Sequence, residues 1–137
     1  EDGVLLSGDH VLPTITPHVA AFLGGDPLAH YLNNLDKVAG LEGITTVLPA
    51  HGHPFHDLRG RCDAIKEHHD KRLEMLVVAA PAVGWANVPR WSEELFSPRS
   101  RGPMADSETL AHLEHLRRAG RAERRPAGEG LEYRVIP

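Results

Sequence analysis

Val4-Leu5-Leu6-Ser7-Gly8-Asp9-His10 and, further along, Val47-Leu48-Pro49-Ala50-His51-Gly52 share one pattern. Each is a short apolar run that breaks into a small, polar loop. Apolar runs of this length, bounded by turn residues, read as buried strands. Asp9 and His51 then stand just beyond the carboxyl ends of two strands, where layered α/β folds collect their ligands. A carboxylate and an imidazole suit zinc or a similar divalent ion, and the two oxygens of an aspartate can each bind a metal. Gly8 and Gly52 leave room for backbone to come close. Both residues also have ordinary uses: an aspartate beside glycine shapes turns, and a loop histidine needs no ligand.

Working outward, Asp2-Gly3 is turn chemistry ahead of the first strand, and Pro13 and Pro17 forbid a regular helix over 11–18. Gly24-Gly25 breaks the chain before Asp26-Pro27, an N-cap followed by a proline at the first helical position. Leu28, Tyr31, Leu32, Leu35, Val38 and Ala39 recur at helical spacing, which predicts an amphipathic helix over 27–40 ended by Gly40 or Gly43. Ile44 to Leu48 is a β-branched run, hence a strand. A helix over 57–79 follows, its apolar face formed by Cys62, Ile65, His69, Leu73, Leu76 and Val77. Residues 79–84 read as a connector, which sets a domain boundary near 81: 1–80 form one domain and 81–137 a second. In the second, Ser92 caps a short helix to Phe96, and Pro98 to Pro103 is a loop. Met104–Ala119 is a helix with Leu110, Leu113 and Leu116 inward. The stretch 122–136 folds as a β-hairpin.

Composition narrows the classes. The chain has 137 residues, 41% hydrophobic and 25% charged, which excludes collagenous and wholly disordered readings. No apolar run approaches the roughly 20 residues of a membrane span. One cysteine, Cys62, excludes an internal disulfide framework and favours a reducing compartment. The opening Glu1-Asp2-Gly3 shows no leader pattern, so a cytoplasmic location is expected. It also precedes a buried strand with no earlier neighbour, so the chain is expected to be the C-terminal part of a larger protein. Net charge is −4, but residues 90–137 carry 9 arginines against 8 acids, while 1–89 carry 6 basic residues against 11 acids. Neither half has the strong positive field of a dedicated nucleic-acid binder.

The segment Val4 to Asp9 resembles the strand and bridging-aspartate motif of metallo-β-lactamase-fold hydrolases, and Val47 to Gly52 resembles their last metal-binding histidine motif. The helix with Ile65, His68, His69, Arg72 and Leu73 is similar to the one that follows in the β-lactamase-like 2, glyoxalase II-like and related thioesterase or nuclease branches. Leu110-Ala111-His112-Leu113-Glu114-His115-Leu116 with Gly120-Arg121 is similar to the winged-helix tail of that branch. The resemblance implies an α/β (α+β) fold: the C-terminal half of an αββα sandwich followed by a small winged-helix domain. It implies Asp9 and His51 as metal ligands of a two-zinc hydrolase that cleaves ester, thioester or phosphodiester bonds with metal-bound hydroxide. The family's His-x-His-x-Asp-His motif does not occur here. The chain alone is therefore expected to bind zinc weakly or not at all, and to lack activity without the missing N-terminal half.

The remaining residues divide between function and structure. His10, His53 and His56 line the same loops. His68, His69, His112 and His115 sit on helices, where packing is the commoner fate. Cys62 reads as a small buried hydrophobe. Arg117, Arg118, Arg121, Arg124 and Arg125 form either a phosphate-contacting patch for RNA or DNA or a solvated face paired with Glu114, Glu123, Glu129 and Glu132; the paired face is favoured. A nucleic-acid-binding or dimerisation module built on the winged helix is the rival reading of the whole chain. The expected partners are a small ester or thioester substrate, or RNA, with a homodimer foreseen because bare strand faces self-associate.

Overall fold

A computed structural model gives the protein's structure and describes residues 3–21 and 25–137. Asp2 of the expected first turn and Gly24 of the expected break lie outside the described residues. The elements run β1 (Val4–Gly8), α1 (Pro27–Ala39), β2 (Thr46–Pro49), α2 (Leu58–Val83), β3 (Ala86–Asn87), α3 (Val88–Leu95), a 3-10 turn (Pro98–Ser100), α4 (Pro103–Arg118), β4 (Ala122–Ala127) and β5 (Gly130–Val135). This is a mixed α+β architecture. The chain divides into two compact units, one of Glu1–Pro17 with His30–His69 and the other of His18–Ala29 with Asp70–Pro137.

In the first unit β1 and β2 pair in parallel, with Leu5 opposite Val47 and an irregularity between Leu6 and Gly8. Val47 also exchanges backbone hydrogen bonds with Phe55 at 2.8 and 3.1 Å. Side chains alternate across a strand, so one face of the pair turns inward. Val47 is fully buried there among Val11, Leu35, Leu58, Cys62 and Ile65, with Leu5, Tyr31, Leu32 and Phe55 packed around them. Val4 and Leu6, on the other face of β1, are exposed, Leu6 by 78%. The apolar face expected on both strands is therefore bare on β1, whereas Leu48 on β2 is half-buried. The N-terminus of α1 is built as read: Asp26 Oδ1 accepts from the Ala29 N–H at 2.9 Å.

In the second unit β3, β5 and β4 form a three-stranded antiparallel sheet in that order. Its core gathers Leu76, Ala80, Trp91, Leu95, Leu113, Leu116, Tyr133 and Val135. Trp91 is fully buried, and its indole N–H donates to the Tyr133 carbonyl at 3.1 Å. Pro126 is tolerated in β4 because that strand is an edge of the sheet.

Three local expectations are corrected. The connector read over 79–84 is helix as far as Val83, so residue 81, where the boundary is expected, lies inside α2. A proline near a helix C-terminus removes only one hydrogen bond, and the burial of Ala80 with the packing of Val77, Ala79 and Val83 keeps the last turns helical. The short helix begins at Val88 rather than at Ser92: Asn87 is the cap, accepting from the Arg90 N–H at 3.0 Å, and Ser92 is buried mid-helix. The strand Ala86–Asn87 was not foreseen, and the hairpin strands reach inward to Ala127 and Gly130.

Candidate metal centre

Parallel pairing brings the two strand tips to the same end of the sheet. The ladder closes with Gly8 opposite Pro49, and the Ala50 N–H donates to the Gly8 carbonyl at 2.9 Å. The next residues on each strand are Asp9 and, one further on, His51. Their side chains meet: His51 Nδ1 lies 2.6 Å from Asp9 Oδ1. Both side chains are largely open to solvent, at 71% and 66% exposure. Gly8 and Gly52 flank the pair with φ of +54° and +89°, a left-handed backbone that glycine adopts without strain. A Cβ on Gly52 would stand only 2.7 Å from Pro13 Cγ, so this position also needs the missing side chain for space.

The donor set fits part of a zinc site. A carboxylate only accepts, so Nδ1 of a neutral His51 donates to Asp9 and Nε2 keeps the lone pair that a metal ion needs. The second Asp9 oxygen is a further donor. Zinc takes three or four protein ligands, and this pair offers two donor side chains.

The loop after Asp9 is held by side chains rather than by sheet or helix. Ser7 Oγ donates to the Val11 carbonyl at 2.8 Å, and the Tyr31 hydroxyl on α1 donates to the His10 carbonyl at 2.9 Å. Arg61 on α2 donates through Nε to Leu12 O at 2.5 Å and through Nη2 to Ile15 O at 2.9 Å. Burial holds the Tyr31 hydroxyl well above its ordinary pKa, so it stays a protonated donor. Sequence reasoning missed Tyr31 and Arg61. Tyr31 was read only as an apolar helix position, and its hydroxyl was the one signal of a second task.

The other histidines stand apart in role. His10 turns inward with its ring edge-on to Tyr31 at 5.1 Å, and its Nε2 is buried without a hydrogen-bond partner among the described residues. His53 is exposed, and His56 Nδ1 donates to the Thr45 carbonyl at 2.8 Å. His69 is fully buried, with its ring edge-on to those of Tyr31 and His68. His112 is fully buried and donates from Nδ1 to the Glu108 carbonyl at 2.7 Å. His115 Nδ1 faces both carboxylate oxygens of Asp26 at 3.0 and 3.1 Å. Cys62 is buried as expected.

Three of the five arginines of the cluster hold acids, and so does Arg134 outside it. Arg117 and Arg124 both bond Glu114, Arg125 bonds Glu132, and Arg134 bonds Glu123. Arg125 and Arg134 also lie over the Trp85 ring, at 4.3 and 5.1 Å from its centroid.

Comparison with solved structures bears on the fold. The chain is similar to a metallo-beta-lactamase family protein from Thermus thermophilus, at 36% identity and a TM-score of 0.83 over 98% of this chain. It is equally similar, with the same identity, TM-score and coverage, to a beta-lactamase domain protein from Burkholderia ambifaria. The likeness supports the metallo-β-lactamase fold family for this chain. The chain spans 42% of the length of each of these two proteins. No protein-family model and no curated protein matches it. No helix among the described residues is long and apolar enough to cross a membrane.

Proposed function

We propose that this chain is the C-terminal part of a zinc-dependent metallo-β-lactamase-fold hydrolase, with Asp9 and His51 as two of its metal ligands. The observation that carries the reading is the meeting of these two side chains, 2.6 Å apart at neighbouring strand tips. The likeness to two metallo-β-lactamase-type structures supports it. When bound, zinc would supply a Lewis acid that lowers the pKa of water toward about 7 and polarises an acyl or phosphoryl oxygen. Asp9 carries the negative charge that such ions require, and His51 adds a neutral nitrogen held in orientation by Asp9. The open face of the pair admits an ester, thioester or phosphodiester. The order α2, β3, α3, α4, β4, β5 supports a winged-helix reading of the C-terminal region. Two ligands are too few for a tight site, so the chain alone binds zinc weakly and does not turn over substrate.

The test compares this chain with the same chain preceded by its upstream coding sequence. Zinc content is measured, together with hydrolysis of ester, thioester and phosphodiester probes. The longer protein is expected to carry His-x-His-x-Asp-His, to hold zinc and to lose hydrolysis on chelation. An upstream sequence without that motif, or chelator-sensitive turnover by the homogeneous short chain, overturns the reading.

A further inference from the structure

The segment from His10 to Pro17 contains no helix or strand, yet its carbonyls do not rely on solvent alone. Those of His10, Val11, Leu12 and Ile15 are taken by donors from three elements: Tyr31 on α1, Ser7 on β1 and Arg61 on α2. Arg61 supplies two of the four bonds. Its planar guanidinium spans the Leu12 and Ile15 carbonyls, on either side of Pro13. The Pro13 ring in turn closes on Gly52, the residue after His51. There a single added carbon would meet Cγ at 2.7 Å and Cδ at 3.3 Å. A continuous line of contact therefore runs from Arg61 through the 12–15 loop and Pro13 to the tip that carries His51.

We propose that Arg61 is a positioning residue for the Asp9–His51 pair, acting by clamping the 12–15 loop so that Pro13 buttresses Gly52. The chemistry explains the residue type. Only arginine offers several N–H groups in a rigid fork that can hold two carbonyls at once, whereas lysine presents a flexible point donor. The site itself is open to solvent, so its own side chains have little packing to fix them. A site gains precision when neighbouring hydrogen bonds lock the elements that carry it. Loss of the clamp frees Pro13, and the His51 tip then samples positions in which Nδ1 and the Asp9 carboxylate no longer meet. The functional consequence rests on the proposed role of Asp9 and His51 as metal ligands; the positional claim rests on the contacts alone.

The test uses Arg61→Ala and Arg61→Lys, with Ile65→Val as a core variant that lowers stability but removes no hydrogen-bond donor to the loop. In this chain, the ring nitrogen and carbon signals of His51 are followed by NMR. In the protein extended by its upstream sequence, zinc affinity is measured by competition with a chromophoric chelator. Arg61→Ala is expected to shift the His51 signals toward those of Asp9→Ala and to weaken zinc binding on the order of 10- to 100-fold, the usual effect of losing an outer support. Arg61→Lys, which keeps the charge and protects against loss of the fold, is expected to fall between Ala and wild type. Ile65→Val should leave the His51 signals in place. Pro13→Ala combined with Arg61→Ala should be no worse than Arg61→Ala alone, because both break the same line. Wild-type His51 signals and zinc affinity in both Arg61 variants overturn the proposal. So do His51 signals in Ile65→Val that move as far as those in Arg61→Ala. Unchanged zinc affinity in His51→Ala instead overturns the metal reading, and the NMR arm still decides the role of Arg61.

Discussion

His51 and Asp9 lie 42 residues apart in sequence, and their side chains stand 2.6 Å apart at the same end of a two-stranded parallel ladder. The pair is open to solvent, so it does little for the fold, as exposed polar pairs generally do. Asp9→Asn and His51→Ala should therefore leave the thermal midpoint nearly unchanged. In the upstream-extended protein each should lower zinc affinity at least tenfold. Calorimetry of the variants beside zinc competition checks this. A large stability loss without a change in zinc binding would make the pair structural.

Two glycines of the same unit should separate backbone strain from crowding. Gly43 has φ of +75° and open space where a Cβ would go, so Gly43→Ala meets only the left-handed penalty, about 1–2 kcal/mol. Gly52 has φ of +89° and also faces Pro13 at 2.7 Å. Gly52→Ala should therefore cost more, by roughly another 1 kcal/mol from overpacking. Urea unfolding of the two variants gives the ranking. Equal losses would mean that the Pro13 ring moves aside freely.

Local chemistry made much of this fold legible. Asp26-Pro27 reads as a helix start because cap and proline act within one turn, and Asp26 does hold the Ala29 N–H. The α2 face at Cys62, Ile65, His69 and Leu76 is buried as its spacing implies. Features decided by distant partners were not legible. The two-residue strand Ala86–Asn87 exists only because Tyr133 and Glu132 pair with it. The persistence of α2 through Pro81 depends on the core around Ala80. Asp9 and His51 were readable as candidates because each follows an apolar run directly. The grip of Arg61 was not, since the carbonyls that it holds bear no sequence signature.

Cys62 should behave as a buried thiol. It is fully inaccessible, and burial, reinforced by the negative charge of Asp63, pushes its pKa up. Little thiolate exists at neutral pH, and no reagent reaches it in the native state. Labelling by a soluble disulfide reagent is expected to run at the rate of opening and to become immediate in denaturant. Rapid stoichiometric labelling of the native chain would contradict the burial of the α2 face.

Glu114 makes the second unit sensitive to acid. Its side chain accepts from Arg117, Arg124 and the Tyr133 hydroxyl, the last at 2.7 Å. Burial alone would raise its pKa, but the Arg117 and Tyr133 hydrogen bonds and the Arg117 and Arg124 charges outweigh this, and the carboxyl titrates below its ordinary range. A depressed carboxyl stabilises the fold at pH values above its unfolded pKa, and that stabilisation is lost as pH falls through the native value. Tyr133 works at the other end. Burial and the Glu114 hydrogen bond raise its pKa from 10.0 to about 12. A raised tyrosine stabilises the fold fully below pH 10 and loses that contribution as pH climbs toward 12. Tyr31, the one other tyrosine, is raised as well. Ultraviolet absorbance should accordingly show almost no tyrosinate in the native chain at about pH 10.5, where the denatured chain, with tyrosines near 10, is mostly ionised. Tyr133→Phe should leave Glu114 buried with one donor fewer and cost about 1–2 kcal/mol near neutral pH. Its stability should also decline less between pH 10 and 12 than that of the wild type. A native titration midpoint near 10 for both tyrosines would refute the burial of these hydroxyls.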